Sequence, residues 1–158
     1  MKKTLLAFLL FTTACGFSPL YQSFTTEGEN VPVFVAPISD QYGFQMRQII
    51  QNKFGDSQNT QYTLTVSAPS FNTWDQTIDD KNFTTIMGIT GTVHYNLTED
   101  KTKKSLLNDS AFLTSSYSVV KDPYATVVAE RKVKKELAEQ LAEQVSLHVL
   151  GTLAGVRH

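Results

Sequence analysis

The sequence is short of the residue types from which covalent frameworks and most active sites are built. It has a single cysteine, Cys15, in 158 residues, so no disulfide forms within the chain. Its three histidines, His94, His148 and His158, stand far apart, and none has a second ligand type at metal-binding spacing. Each reads as a solvated or capping histidine. No Gly-rich phosphate loop is present. Gly88 and Gly91 fall inside a strand pattern, where glycine marks a bulge or a close approach. Asp75, Asp79 and Asp80 form an acidic stretch without a partner base, and acidic turns are common. Neither sign of charge dominates, with 14 Lys and Arg against 15 Asp and Glu, which argues against the strongly basic field of a nucleic-acid binder. We therefore expect no catalytic residue, no metal and no cofactor, and a chain that is not an enzyme.

What is present begins at the first residue. Lys2 and Lys3 precede an apolar run, Leu5 to Phe11, that is far too short for the ~20 residues of a spanning helix. It has the length of a signal-peptide core. Thr12-Thr13-Ala14 then leads into Cys15. A lone cysteine just after a leader core, with a small residue before it, is where a bacterial lipoprotein is cleaved and diacylated. Thr12 stands where Leu is more usual, and a secreted protein with a stray thiol is the other reading. Gly16 rather than Asp follows the cysteine, which by the sorting habit of enteric lipoproteins favours the outer membrane. Each buried acyl methylene contributes about 0.8 kcal/mol, so three chains anchor the protein stably. Without Lys2 and Lys3 the mature chain carries a net charge of −3. The organisation expected is a signal peptide over 1–14, a lipidated tether over 15–30 and one domain over 31–158, long enough to bury a core.

Val33-Phe34-Val35-Ala36, between Pro32 and Pro37, reads as a short edge strand. Asp40 is placed to cap a helix that carries Phe44, Ile49 and Ile50 inward and stops at Gly55. Three stretches then alternate with period two: Tyr62–Ala68, Ile89–Leu97 and Ala111–Val119. Phe71–Asp79 is a weaker strand candidate. The turn Glu99-Asp100-Lys101-Thr102-Lys103-Lys104 joins the last two strong runs as an antiparallel hairpin. Pro123 opens a long helix. Its inward stripe is Val133, Leu137, Ala138, Leu141, Ala142, Val145, Val149 and Leu153. Glu130–Lys134, Lys132–Glu136 and Lys135–Glu139 are spaced to pair on its outer side. The sum is an α+β two-layer sandwich, a mostly antiparallel four-stranded sheet with two helices on one face.

Two basic clusters stand out. Arg131, Lys132, Lys134 and Lys135 suit acidic lipid phosphates, but their glutamate neighbours favour a solvated helix face. Lys101, Lys103 and Lys104 form a second knot at the hairpin turn, more often just a soluble loop tip. The sequons at Asn82, Asn96 and Asn108 carry no weight in a bacterial protein. The outward strand positions are more informative, being rich in Thr, Ser and Asn and poor in charge. A merely soluble sheet carries more Lys and Glu there. Uncharged polar faces suit packing against another polar surface, where a lone charge is costly.

The stretch Cys15-Gly16-Phe17-Ser18-Pro19-Leu20-Tyr21 resembles the mature start of the LptE-type LPS-assembly lipoproteins, in the alphaproteobacterial style Cys-Gly-Phe-x-Pro-Leu-Tyr. The order strand, helix, antiparallel strands, long C-terminal helix agrees with that family. The resemblance implies a non-enzymatic lipoprotein held to the outer membrane by its lipid anchor. It implies a place inside the lumen of the β-barrel LptD as plug and assembly factor, aiding lipopolysaccharide delivery to the outer leaflet. No family motif fixes a lipopolysaccharide-binding residue here; Lys101, Lys103 and Lys104 are the candidates by charge and loop position. An unrelated outer-membrane lipoprotein that binds a lipid or peptide in the periplasm is the competing expectation.

Overall fold

In the computed structural model, which describes residues 32–55, 60–78 and 84–156, the period-two stretches are strands of one sheet and two helices cover one side of it. The elements are β1 (Val33–Val35), α1 (Asp40–Phe54), β2 (Tyr62–Val66), β3 (Ser70–Ile78), β4 (Thr84–Glu99), β5 (Ser105–Ser118) and α2 (Pro123–Val156). The α+β two-layer expectation holds. The sheet has five strands rather than four, because the weakest sequence candidate is a full strand, β3. Its alternation is blurred by register shifts between Asp75 and Thr77 and again before Ile78, which is why the pattern reads poorly.

β4 organises the sheet. Most of its length pairs antiparallel with β5, Ile86–Thr98 against Ser105–Ser118. On its other side β3 takes the first half, with Trp74 opposite Gly88, and β2 the second, with Leu64 opposite Leu97. β1 joins β2 in parallel over three residue pairs.

The inner face carries Val35, Leu64, Val66, Ile89, Val93 and Leu97, all buried. Against it lie Met46, Ile50 and Phe54 of α1 and the expected stripe of α2, buried from Leu137 to Leu153. Val133, nearer the start of α2, is only half-buried. Full burial of each large apolar side chain is worth about 1.5–3 kcal/mol, so this layer is the main source of stability.

The phase of α1 differs from the expectation. Phe44 is 58% exposed, Ile49 is half-buried, and the buried row is Gly43, Met46, Ile50 and Phe54. A Cβ on Gly43 would lie 2.6 Å from Ile38 Cγ2, so the missing side chain is what lets the first turn approach the chain before it. Packing follows the glycine, and Phe44, one residue or about 100° round the helix, points away. The capping expectation holds: Asp40 Oδ1 accepts the Gly43 N–H at 2.7 Å. Asp40 itself sits at φ 70°, a region its short polar side chain tolerates. Gly55, at φ 75°, ends the helix with its N–H on Gln51 O at 2.9 Å.

Candidate functional site

Cys15 and the motif through Tyr21 lie outside the described residues, as do Asp79, Asp80, Asn82 and His158. The structure therefore bears on the hairpin tip, the outer sheet face and the two remaining histidines.

The hairpin tip is held by its own backbone and acids. Glu99 N–H donates to Lys104 O at 2.9 Å and Lys103 N–H to Glu99 O at 2.8 Å. Lys103 takes the left-handed conformation, φ 57°. Glu99 accepts from the Thr102 hydroxyl, and Asp100 accepts from the Thr63 hydroxyl at 2.8 Å. Both carboxylates are thus engaged by hydroxyls, while Lys101, Lys103 and Lys104 are exposed and make no ion pair with a described residue. The tip offers three ammonium groups to an anion.

The basic run on α2 behaves differently. Lys134 pairs with Glu130, Lys132 with Glu136 at 3.7 Å and Lys135 with Glu139 at 3.8 Å. Lys134 also lies 5.7 Å from the centroid of Phe71, whose ring meets Tyr42 edge-on. These lysines are spent within the fold, so the solvated-face reading is the one the geometry favours.

The outer face of the sheet lies on the side away from the buried core. Register places Phe34, Thr63, Thr65, Thr98, Asn96, His94, Thr92 and Thr90 on it, with Ser70, Asn72 and Trp74 from β3. β5 adds Asn108, Ser110, Phe112, Thr114, Ser116 and Ser118. No Asp, Glu, Lys or Arg is among these positions. Their hydroxyls and amides bond to each other: Thr90 with Thr114 at 3.2 Å, Thr98 to Asn96 at 3.0 Å and Ser105 to Asn96 at 3.2 Å. Asn96 and Asn108, two of the three sequons, oppose each other across β4 and β5. Three aromatics interrupt the polar surface, Phe34, Trp74 and Phe112, the last 67% exposed. Trp74 lies flat over Gly88, where a Cβ would come within 2.3 Å of its ring. This is the close approach expected at that glycine. The aromatics were missed as a group because Phe34 and Trp74 join this face only through pairing across strands. Phe112 carried the one local signal, standing among Ser and Thr on the polar phase of its strand.

His148 is not a free histidine. Its Nδ1 lies 2.6 Å from the Tyr95 hydroxyl and 3.6 Å from Asp109 Oδ2, joining α2 to β4 and β5. Burial, and secondarily the Asp109 charge, push the Tyr95 phenol up from its usual range. The trio ties the helix to the sheet. His94 is exposed on the outer face, and its backbone N–H donates to Ser67 Oγ at 2.9 Å. Among the described residues no three His, Cys, Asp or Glu side chains converge as a metal site, and no helix is long and apolar enough to cross a membrane. Beside His94, Thr65, Asn96 and Asn108 border a shallow depression of about 260 Å³, smaller than typical small-molecule pockets of about 300–1,000 Å³.

No family model matches the chain, and no curated protein matches it. Solved structures do share its architecture. Rare lipoprotein B from Shewanella oneidensis superposes with a TM-score of 0.66 at 13% identity, over 80% of this chain and 98% of its own. An uncharacterized lipoprotein B from Nitrosomonas europaea gives 0.60 at 11% identity, over 77% and 83%. The chain therefore has a fold found in bacterial lipoproteins, and at these identities the likeness concerns fold alone.

Proposed function

We propose that this chain is an outer-membrane lipoprotein, anchored through Cys15 on the periplasmic side. It plugs and helps assemble the lipopolysaccharide-translocating barrel LptD, and so aids delivery of lipopolysaccharide to the outer leaflet. The observation that carries the reading is the outer sheet face, broad and polar, with no Asp, Glu, Lys or Arg among its strand positions, and with Thr90 bonded to Thr114 and Thr98 and Ser105 to Asn96. Such a face packs against the polar wall of a lumen without stranding a charge. The motif from Cys15 to Tyr21 and the fold shared with rare lipoprotein B support the same reading. In it the free ammonium groups of Lys101, Lys103 and Lys104 meet lipopolysaccharide phosphates, and no catalytic step is required.

A tagged copy extracted in detergent should bring down LptD, and its depletion should lower assembled LptD and leave lipopolysaccharide in the periplasm. Normal levels of both, with no barrel copurified, would sink the proposal and favour a periplasmic lipid- or peptide-binding lipoprotein. Thr92→Glu on the outer face should cost roughly 3–5 kcal/mol of barrel binding by burying an unpaired carboxylate, on the order of 10²- to 10⁴-fold. Cys15→Ser should abolish labelling by a palmitate analogue. Replacing all three tip lysines with Gln should weaken binding to lipopolysaccharide while leaving LptD copurification intact.

A further inference from the structure

Among the described residues the sheet has three strand edges without a partner strand, and two carry the usual protections. β1 is three residues long and flanked by Pro32 and Pro37. β3 is broken by two register shifts and carries Asp75. Both features discourage a further strand from adding. β5 is different. From Leu107 to Ser118 it holds unbroken register with β4, has no proline, lysine or arginine, and has Asp109 as its only charge.

The alternation of its backbone groups can be read off. Val119 N–H donates to Thr85 O at 2.9 Å, so odd-numbered residues direct N–H and C=O toward β4. Asn108, Ser110, Phe112, Thr114, Ser116 and Ser118 then direct theirs to the open side. Ser110 agrees, because its N–H is taken by the Asp109 carboxylate at 2.7 Å and not by β4. Among the described residues no strand pairs with that side.

We propose that two copies of this chain pair through β5, antiparallel about a two-fold axis at Thr114, to form one continuous sheet. The occupant is a second copy because the strand fits itself. The stretch Ser110–Ser118 is uncharged, and about Thr114 every large side chain meets a small one: Phe112 opposite Ser116, Tyr117 opposite Ala111 and Leu113 opposite Ser115 of the mate. Thr114 meets its own copy, a favourable cross-strand pair. The one charge, Asp109, falls just outside the paired stretch opposite Val119, so the two carboxylates never face each other. Pairing also sets Phe112, 67% exposed in the single chain, beside Ser116 of the mate. Because the same patch serves both copies, the assembly closes at two. This inference concerns the strand edge and does not depend on a barrel partner.

Sedimentation equilibrium of the full lipidated chain in detergent should give twice the monomer mass. Ser116→Pro, whose lost N–H serves no bond to β4, and Thr114→Lys, which sets two ammonium groups face to face, should each raise the dimer dissociation constant at least tenfold. Two micelle-sharing monomers would not respond to either change. Thr114→Cys should form a disulfide-linked dimer, since paired Cα atoms about 5.5 Å apart suit a disulfide. Thr65→Cys, away from the edge, should not. A monomer at all concentrations, a dimer indifferent to both substitutions, or Thr114→Cys cross-linking only to another protein would each overturn the proposal.

Discussion

Gly91 and Leu141 face each other across the two layers, and a pair of substitutions there measures how tightly α2 is seated on β4. Leu141 is fully buried. Truncating it to Ala removes three buried carbons and leaves a cavity, which costs about 3 kcal/mol on the usual scale of 2–5. A Cβ on Gly91 would lie 3.2 Å from Leu141 Cδ1 and 3.2 Å from Phe71 Cε1, clamped between two side chains. Gly91→Ala alone should therefore overpack the site and cost about 1–2 kcal/mol, even though Ala suits a strand better than Gly. Together the two changes should partly cancel, because the new methyl points into the space that Leu141 vacates. Independent sites would lose about 4–5 kcal/mol in the double variant. The structure predicts about 3, a coupling of about 1–2 kcal/mol. Urea unfolding followed by circular dichroism reads this directly, since 1.5 kcal/mol at an m-value of ~1.5 kcal/mol/M displaces the midpoint by about 1 M. Additivity within about 0.5 kcal/mol, with unchanged m-values, would refute the contact between Gly91 and Leu141.

Trp74 is the only tryptophan in the chain, so its fluorescence reports on the outer face alone. Gly88→Ala should lift its ring off the sheet, moving the emission to longer wavelength and raising iodide quenching; an unchanged spectrum would mean that the ring lies elsewhere. Tyr95 and Tyr117 both have phenols pushed up, chiefly by burial, so absorbance at the phenolate band should show late-ionising tyrosines in the native protein. A raised phenol stabilises the fold below the unfolded value near 10, and that stability is lost as pH rises through the native value. Tyr95→Phe should remove one late step and blunt the alkaline loss; six tyrosines titrating together would contradict this. Asp40→Ala should cost about 1 kcal/mol through loss of the cap to Gly43, and Asp40→Asn much less, as thermal melts would show.

The residues that read well from sequence are those whose environment is set by neighbours in the chain. The stripe of α2 from Leu137 to Leu153, the Glu–Lys pairs beside it and the turn from Glu99 to Lys104 all depend on local spacing. Pro123 and Gly55 likewise mark boundaries that backbone geometry alone imposes. Residues that misread are set by contacts distant in sequence. Phe44 looked inward because it is large, yet the approach of Gly43 to Ile38 turned the helix. β3 looked weak because its bulges answer to β4. Of the candidate surface, its poverty in charge was visible strand by strand. Its extent was not, because Phe34, Thr65 and Trp74 come onto one face with His94 and Thr90 only through register. His148 looked solvated for the same reason, its partners Tyr95 and Asp109 lying on two other elements.

The dominance of β4 has a bearing on how the chain assembles over time. Among the described residues β2 and β3 pair with β4 and not with each other, and β1 pairs only with β2. In a chain that emerges from its amino end, everything before Thr84 is without its main ladder until Glu99 has appeared. The hairpin of β4 and β5 needs only its own short turn to close, so it is the natural nucleus. The amino-terminal elements then add to it in reverse of the order in which they were made. Folding thus runs from the carboxyl side back toward the amino end, and φ-values near one in the hairpin with values near zero in β1 and β2 would be its kinetic signature.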